Sequence, residues 1–162
     1  MKIRLFALLL VTFLTFPFAS QAATNEAESV VEVVSTFYRN YISALEAYDS
    51  TYKWSEQPEV DPDLIKKIAA LFDEVEEDED GERILGYDPI LMAQDWPATM
   101  EYATPIINGD VAEIIAYTVW GDNKVPLCVT VANREDVWRI TDIIDMRHFD
   151  GETPFKCGGM KL

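Results

Sequence analysis

Apolar residues recur three and four apart from Val30 onward: Val30, Val34, Phe37, Tyr41, Leu45 and Tyr48, with Val31, Tyr38 and Ile42 widening the stripe. This spacing places them on one face of a helix. Asn25 with Glu28 three residues on makes a capping-box pattern, in which each side chain satisfies a free backbone N–H of the first turn. A helix is therefore predicted from about Glu26 to about Tyr48. A stripe so rich in aromatics serves as a core face against a sheet, and in a curved sheet the same rings can line a pocket.

Asp61-Pro62 reads as an N-cap followed by proline at the first helical position, where its missing N–H costs nothing. Leu64, Ile65, Ile68, Leu71, Phe72 and Val75 then mark a second, shorter helix. Asp88-Pro89 repeats the helix-start pattern, and Pro97 ends whatever forms, so a short helical turn is predicted there.

From Thr99 the period changes from helical to alternating. Four strands are predicted, Met100–Ile107, Val111–Trp120, Pro126–Ala132 and Val137–Arg147, with turns at Asn108-Gly109, Gly121-Asp122-Asn123 and Asn133–Asp136. Asn-Gly is among the strongest hairpin signals because both residues tolerate positive φ. Helix, helix, turn and four strands make an α+β class: a long N-terminal helix and a second helix packed on a curved four-stranded antiparallel meander. If the sheet face bearing Tyr117, Val119 and Ile143 is exposed, it supplies a surface for a homodimer; alternation alone does not say which face is covered.

Upstream of the first helix, Lys2 and Arg4 form a positive n-region and Leu5–Phe18 an almost uninterrupted apolar stretch of 14 residues. A membrane-spanning helix needs about 20. Ser20-Gln21-Ala22 follows with small side chains at the positions a signal peptidase reads, so cleavage is expected after Ala22. The expected organisation is a signal peptide at 1–22, one α+β domain at 23–148 and a C-terminal tail at 149–162, in a protein that is periplasmic or secreted. No membrane insertion is expected after cleavage.

The sequence holds 13 Lys+Arg against 29 Asp+Glu, a formal charge of −16; losing Lys2 and Arg4 leaves 11 against 29, or −18. Such a charge opposes nucleic acid, whose binding needs cations to neutralise phosphates, and favours basic partners. The acid is concentrated between Asp73 and Glu82. Aligned as an EF-hand with Gly81 at the sixth position, the run places Glu76, Asp78 and Asp80 correctly but Tyr87 at the twelfth, where a bidentate Glu is required. No metal and no cofactor are expected, and the run reads as a solvated loop.

Cys128 and Cys157 both fall in the exported part, where thiols oxidise, and neither has a CxxC partner or a nearby His at metal spacing. A structural disulfide is expected to tie down the tail, contributing about 3 kcal/mol in the chain-entropy account. His148 is the only histidine, and no nucleophile–base–orienter set is visible. An enzyme would have to use carboxylates such as Asp88 and Asp95, with Asp142 or Asp145 as partners. No catalytic residue is assigned, and enzymatic activity is the less favoured reading.

The pattern Phe37-Tyr38 with Tyr41-Ile42, then Asp61-Pro62, then Asp88-Pro89 with Ala93-Gln94-Asp95-Trp96-Pro97, and finally Trp138-Arg139-Ile140, resembles the domain-of-unknown-function family numbered 3828, small exported bacterial proteins and lipoproteins. The resemblance spans about Glu28 to Arg147, and the Gln-Asp block is its most specific part. It implies a nuclear-transport-factor-like (NTF2-like) or cystatin-like cone, lends no catalytic residues, and settles no function by fold alone. Unlike some members, the chain has no lipid-bearing cysteine after its apolar stretch.

Two non-enzymatic functions follow. In the leading one, a periplasmic binding module takes a small or peptide-like ligand at a cone mouth rimmed by Gln94, Asp95 and Trp96 and floored by Tyr38 and Tyr41, with Asp88 a further candidate ligand residue. In the alternative, an inhibitor or immunity protein engages a basic secreted toxin or cell-wall hydrolase through Glu76, Glu77, Asp78, Glu79 and Asp80.

Overall fold

The computed structural model describes residues 18–75 and 85–146, and side chains from Thr24 onward. Two helices pack on one face of a five-stranded antiparallel sheet, the α+β architecture that the change of period implies. The elements in chain order are α1 (Phe18–Glu46), α2 (Pro62–Glu74), β1 (Thr99–Tyr102), β2 (Ile106–Asn108), β3 (Val111–Trp120), β4 (Asn123–Arg134) and β5 (Val137–Asp145), with a 3-10 turn at Trp54–Glu56. Among the described residues, no helix is long and apolar enough to cross a membrane.

α1 buries the predicted stripe: Val30, Val34, Phe37 and Tyr38 are fully enclosed and Tyr41 nearly so. Burying each large apolar side chain contributes roughly 1.5–3 kcal/mol. The helix differs from expectation upstream of Asn25, where the described residues are already helical from Phe18. The Asn25–Glu28 capping box is not formed there. With helix preceding it, Asn25 offers its carbonyl to Ser29 Oγ at 2.9 Å within the helix, and the amides that the box would have capped already have partners. α2 begins as predicted. Asp61 Oδ1 accepts the N–H of Asp63 at 2.9 Å, Pro62 occupies the first turn, and Leu64 and Ile68 enter the core.

The sheet is a meander in which β3, β4 and β5 follow one another, while β1 and β2 both pair with the free edge of β3. The single strand predicted over Met100–Ile107 is thus two, broken at Ala103-Thr104-Pro105, where proline has no N–H to give the ladder. The hairpin turn is Gly109-Asp110, one residue later than predicted, with Gly109 at φ 61 and Asn108 paired to Val111. Pro126 lies inside β4, one residue beyond the last β4–β5 pair, Leu127–Asp145, so it breaks no bond to β5.

Register decides which residues face the helices. The rows Ala112–Val131–Ile140 and Ile114–Val129–Ile143 form the core face and are buried throughout. Ile115–Cys128–Ile144 lies on the reverse. Between Thr130 and Val131 the β5 register slips by one residue, and the extra residue, Thr141, donates its hydroxyl to Thr130 O at 3.2 Å. The expected homodimer surface does not survive this register. Ile143 faces the helices, whereas Tyr117 and Val119 belong to the reverse face, where Val119 is 7% exposed. Beside β5, the Glu59–Asp61 segment adds one parallel rung: Ile140 N–H donates to Glu59 O at 2.7 Å and Asp61 N–H to Ile140 O at 2.9 Å.

Cys128 is 3% exposed on the reverse face, in a small cluster with Ile115 and Met146, and is not a free thiol. Its expected partner, Cys157, lies outside the described residues, as do His148, the tail and the acidic residues Glu76, Glu77, Asp78, Glu79 and Asp80.

Candidate functional site

The segment between α2 and β1 does not form a helical turn at Asp88-Pro89. It makes a closed chain reversal in which Asp88 N–H donates to Ala93 O at 2.7 Å and Met92 takes a positive φ of 51. The same side-chain chemistry that starts a helix is used here to make a turn. Asp88 Oδ1 accepts the N–H groups of Ile90 at 2.7 Å and Leu91 at 3.0 Å, and both of those side chains are buried.

This reversal is seated on α1 by two phenols. Tyr41 donates to Asp88 Oδ2 at 2.6 Å, and Tyr38 donates to Ile90 O at 3.3 Å. Phe37 stacks on Tyr41 with ring centres 6.0 Å apart, and Tyr38 meets Phe37 edge-on at 5.4 Å. Burial, reinforced by the neighbouring Asp88 carboxylate, pushes the Tyr41 phenol far above its ordinary range. Burial does the same for Tyr38 and, against the opposing pull of Arg39, for Tyr102. Tyr38, Tyr41 and Asp88, expected around an open mouth, are packed together beneath the turn. Asp88 in particular spends both carboxylate oxygens on protein donors.

Gln94, Asp95 and Trp96 continue from the turn on the outside and are exposed. Gln94 Nε2 donates to Gly86 O at 3.2 Å, which closes the base of the reversal. Gln94 and Asp95 form one wall of a groove of about 830 Å³, open to solvent. The tip of the β3–β4 hairpin also lines it, with Trp120, Asn123 and Val125, as does Asp145 at the end of β5. Trp96 stands at the rim. Its carbonyl accepts the indole N–H of Trp120 at 3.1 Å, and its ring meets Tyr48 edge-on, 6.1 Å between centres with planes at 89°. Tyr48 itself lies past the end of α1, is 82% exposed and has a φ of 51, so it is not part of the core stripe.

The groove therefore unites two of the six predicted ligand residues, Gln94 and Asp95, with Trp96 linked to it through Trp120. Sequence reasoning missed Trp120 and Tyr48. Trp120 stands immediately before the Gly121-Asp122 turn, which fixes it at a hairpin tip. That was a usable signal, since a tip residue is exposed by position. Of the carboxylates considered for catalysis, Asp142 pairs with Lys67 at 2.7 Å, tying β5 to α2, and Asp145 lines the groove. Among the described residues, no group of three or more His, Cys, Asp or Glu is placed to hold a metal ion.

No protein-family model matches the chain, and no curated protein does. Among solved structures, it is similar to a chain of the selenomethionine crystal form of the type VI effector-immunity complex Tae3-Tai3 from Ralstonia pickettii. The TM-score is 0.54 at 21% identity, covering 75% of this chain and 99% of the other. The native form of that complex gives a TM-score of 0.49 at 18% identity, covering 70% and 94%. At such identities the first likeness is one of fold.

Proposed function

We propose that the chain is an exported inhibitor of the immunity type, which binds a basic secreted toxin or cell-wall hydrolase and blocks it. The observation that carries this reading is the closure of the α1 stripe. Tyr38 and Tyr41, the floor that an internal ligand site would need, are spent on packing and on bonds to the 88–91 turn. What remains available is an outer surface of aromatics and carboxylates on a strongly negative protein. The likeness of its fold to a chain of an effector–immunity complex supports the same reading. Charge of one sign speeds encounter with a partner of the other, and more so at low salt.

The test is to combine the purified mature chain with basic cell-wall hydrolases secreted by bacteria and to measure hydrolysis of isolated cell wall. Stoichiometric inhibition is expected, with association that slows as salt rises and after charge reversal of Glu76–Asp80. Full hydrolysis in the presence of excess chain overturns the reading. A second reading, a binding module for a small or peptide-like ligand, is favoured by the groove at Gln94 and Asp95. It predicts the reverse pattern, in which Asp95→Ala weakens ligand uptake and charge reversal of the acidic run does nothing.

A further inference from the structure

We infer that the groove between the 86–95 segment and the β3–β4 hairpin tip receives an arginine side chain from the protein partner. The inference rests on the inhibitor reading for the identity of its occupant, but the groove's own chemistry selects the side chain. Tyr87 and Trp120 offer aromatic surface, Met92 and Val125 offer apolar surface, and the exposed Asp95 supplies a carboxylate. No lysine or arginine is among the described residues that line it. A guanidinium is planar, stacks on indole and phenol faces, and donates N–H groups in a fork that carboxylates accept, while its methylene stem packs on apolar walls. An ammonium shares the charge but not the plane, so arginine is favoured over lysine.

The aromatic part of the site is held in place before anything binds. The Trp120 indole N–H is already committed to Trp96 O, and Trp96 is braced edge-on by the exposed Tyr48. Large aromatics at the centre of an interface carry a disproportionate share of its energy, and fixing them beforehand removes part of the entropic cost of association. Overall charge complementarity points the same way, since the chain carries 29 acidic against 13 basic residues.

The experiment titrates the full mature chain with N-acetyl-arginine methylamide and, separately, with its uncharged citrulline counterpart, following amide and indole N–H resonances. Saturable shifts confined to the Trp120 indole and to the Gln94, Asp95 and Asn123 amides are expected with arginine, with affinity at least about tenfold lower for citrulline. Asp95→Asn, at an exposed position, should weaken arginine binding several-fold without changing the thermal midpoint, and Trp120→Phe tests the stacking surface in a smaller ring. The inference is overturned by shifts of equal size with citrulline, by shifts scattered over the acidic surface, or by none. Any of these leaves inhibition of a toxin intact, whereas loss of inhibition leaves the titration unchanged, so the two ideas fail separately.

Discussion

The Tyr41 hydroxyl lies 2.6 Å from Asp88 Oδ2, a bond between residues 47 positions apart that fastens the loop after α2 to the first helix. Because Asp88 Oδ1 also holds the amides of Ile90 and Leu91, one carboxylate serves three donors.

Removing that acceptor orphans all three. A buried donor left without a partner costs about 1–3 kcal/mol. Asp88→Ala is therefore expected to lower unfolding stability by about 2–3 kcal/mol, whereas Tyr41→Phe, which removes one donor cleanly, should cost about 1 kcal/mol. Urea denaturation of both variants and of the double variant measures the coupling. Additive losses would mean that the bond carries no stability of its own.

Alkali should act through the same cluster. The folded phenols of Tyr38, Tyr41 and Tyr102 are all held above their ordinary range, chiefly by burial. A raised pKa means that the folded state holds the proton more tightly than the unfolded state does. The associated stability is whole below the unfolded tyrosine value of about 10 and is lost as pH climbs beyond it toward the folded values. Ultraviolet phenolate absorbance should show these three ionising together with loss of circular dichroism, and Tyr41→Phe should move the alkaline transition upward. Ionisation of all three in a still-native spectrum would contradict this.

Asp61 is 5% exposed and caps α2, with Arg134 Nε 3.7 Å from its other oxygen. Losing such a cap costs about 0.5–2 kcal/mol. Asp61→Ala is expected near the upper end because the position is buried, while Asp61→Asn should keep most of the stability. Thermal unfolding of the pair checks the ordering.

At the β4–β5 turn, Glu135 and Asp136 both take positive φ, 56 and 64, without being glycine. The left-handed region costs an L-residue about 1–2 kcal/mol, and two-residue hairpin turns with both φ positive favour Asn-Gly. Asp136→Gly is expected to raise stability by about 0.5–1 kcal/mol despite glycine's freer unfolded chain. A lower thermal midpoint would show that entropy outweighs the relief.

Locally determined features were legible from the residues alone. Asp61-Pro62 starts α2 because cap and proline act within one turn, and Gly109 and Gly121 mark hairpin turns because φ there is positive. That helix precedes Asn25 was not legible, since a capping box forms only where helix does not already precede it. Nor was the break in the first strand, because alternation continues on both sides of Pro105. At Asp88 the same Asx chemistry serves a helix start and a chain reversal, and only the tertiary bond from Tyr41 separates the two. Gln94 and Asp95 were singled out from their composition, and the structure places both on the groove. Trp120, which lines the same groove, is brought to them by a hairpin whose placement no local pattern encodes.

The contact between α1 and β5 has a consequence for synthesis. Among the described elements, the first helix to emerge is covered in part by the last strand to emerge, so its apolar stripe stays exposed until nearly all the described residues have been made. Chain elongation proceeds at roughly 5–20 residues per second. The stretch from Tyr41 to Ile143 therefore corresponds to roughly 5–20 seconds during which a sticky surface needs shielding. A protein sent across a membrane before it folds has that shielding from the export machinery itself, and one whose export stalled would meet its aggregation hazard in α1 rather than in the sheet.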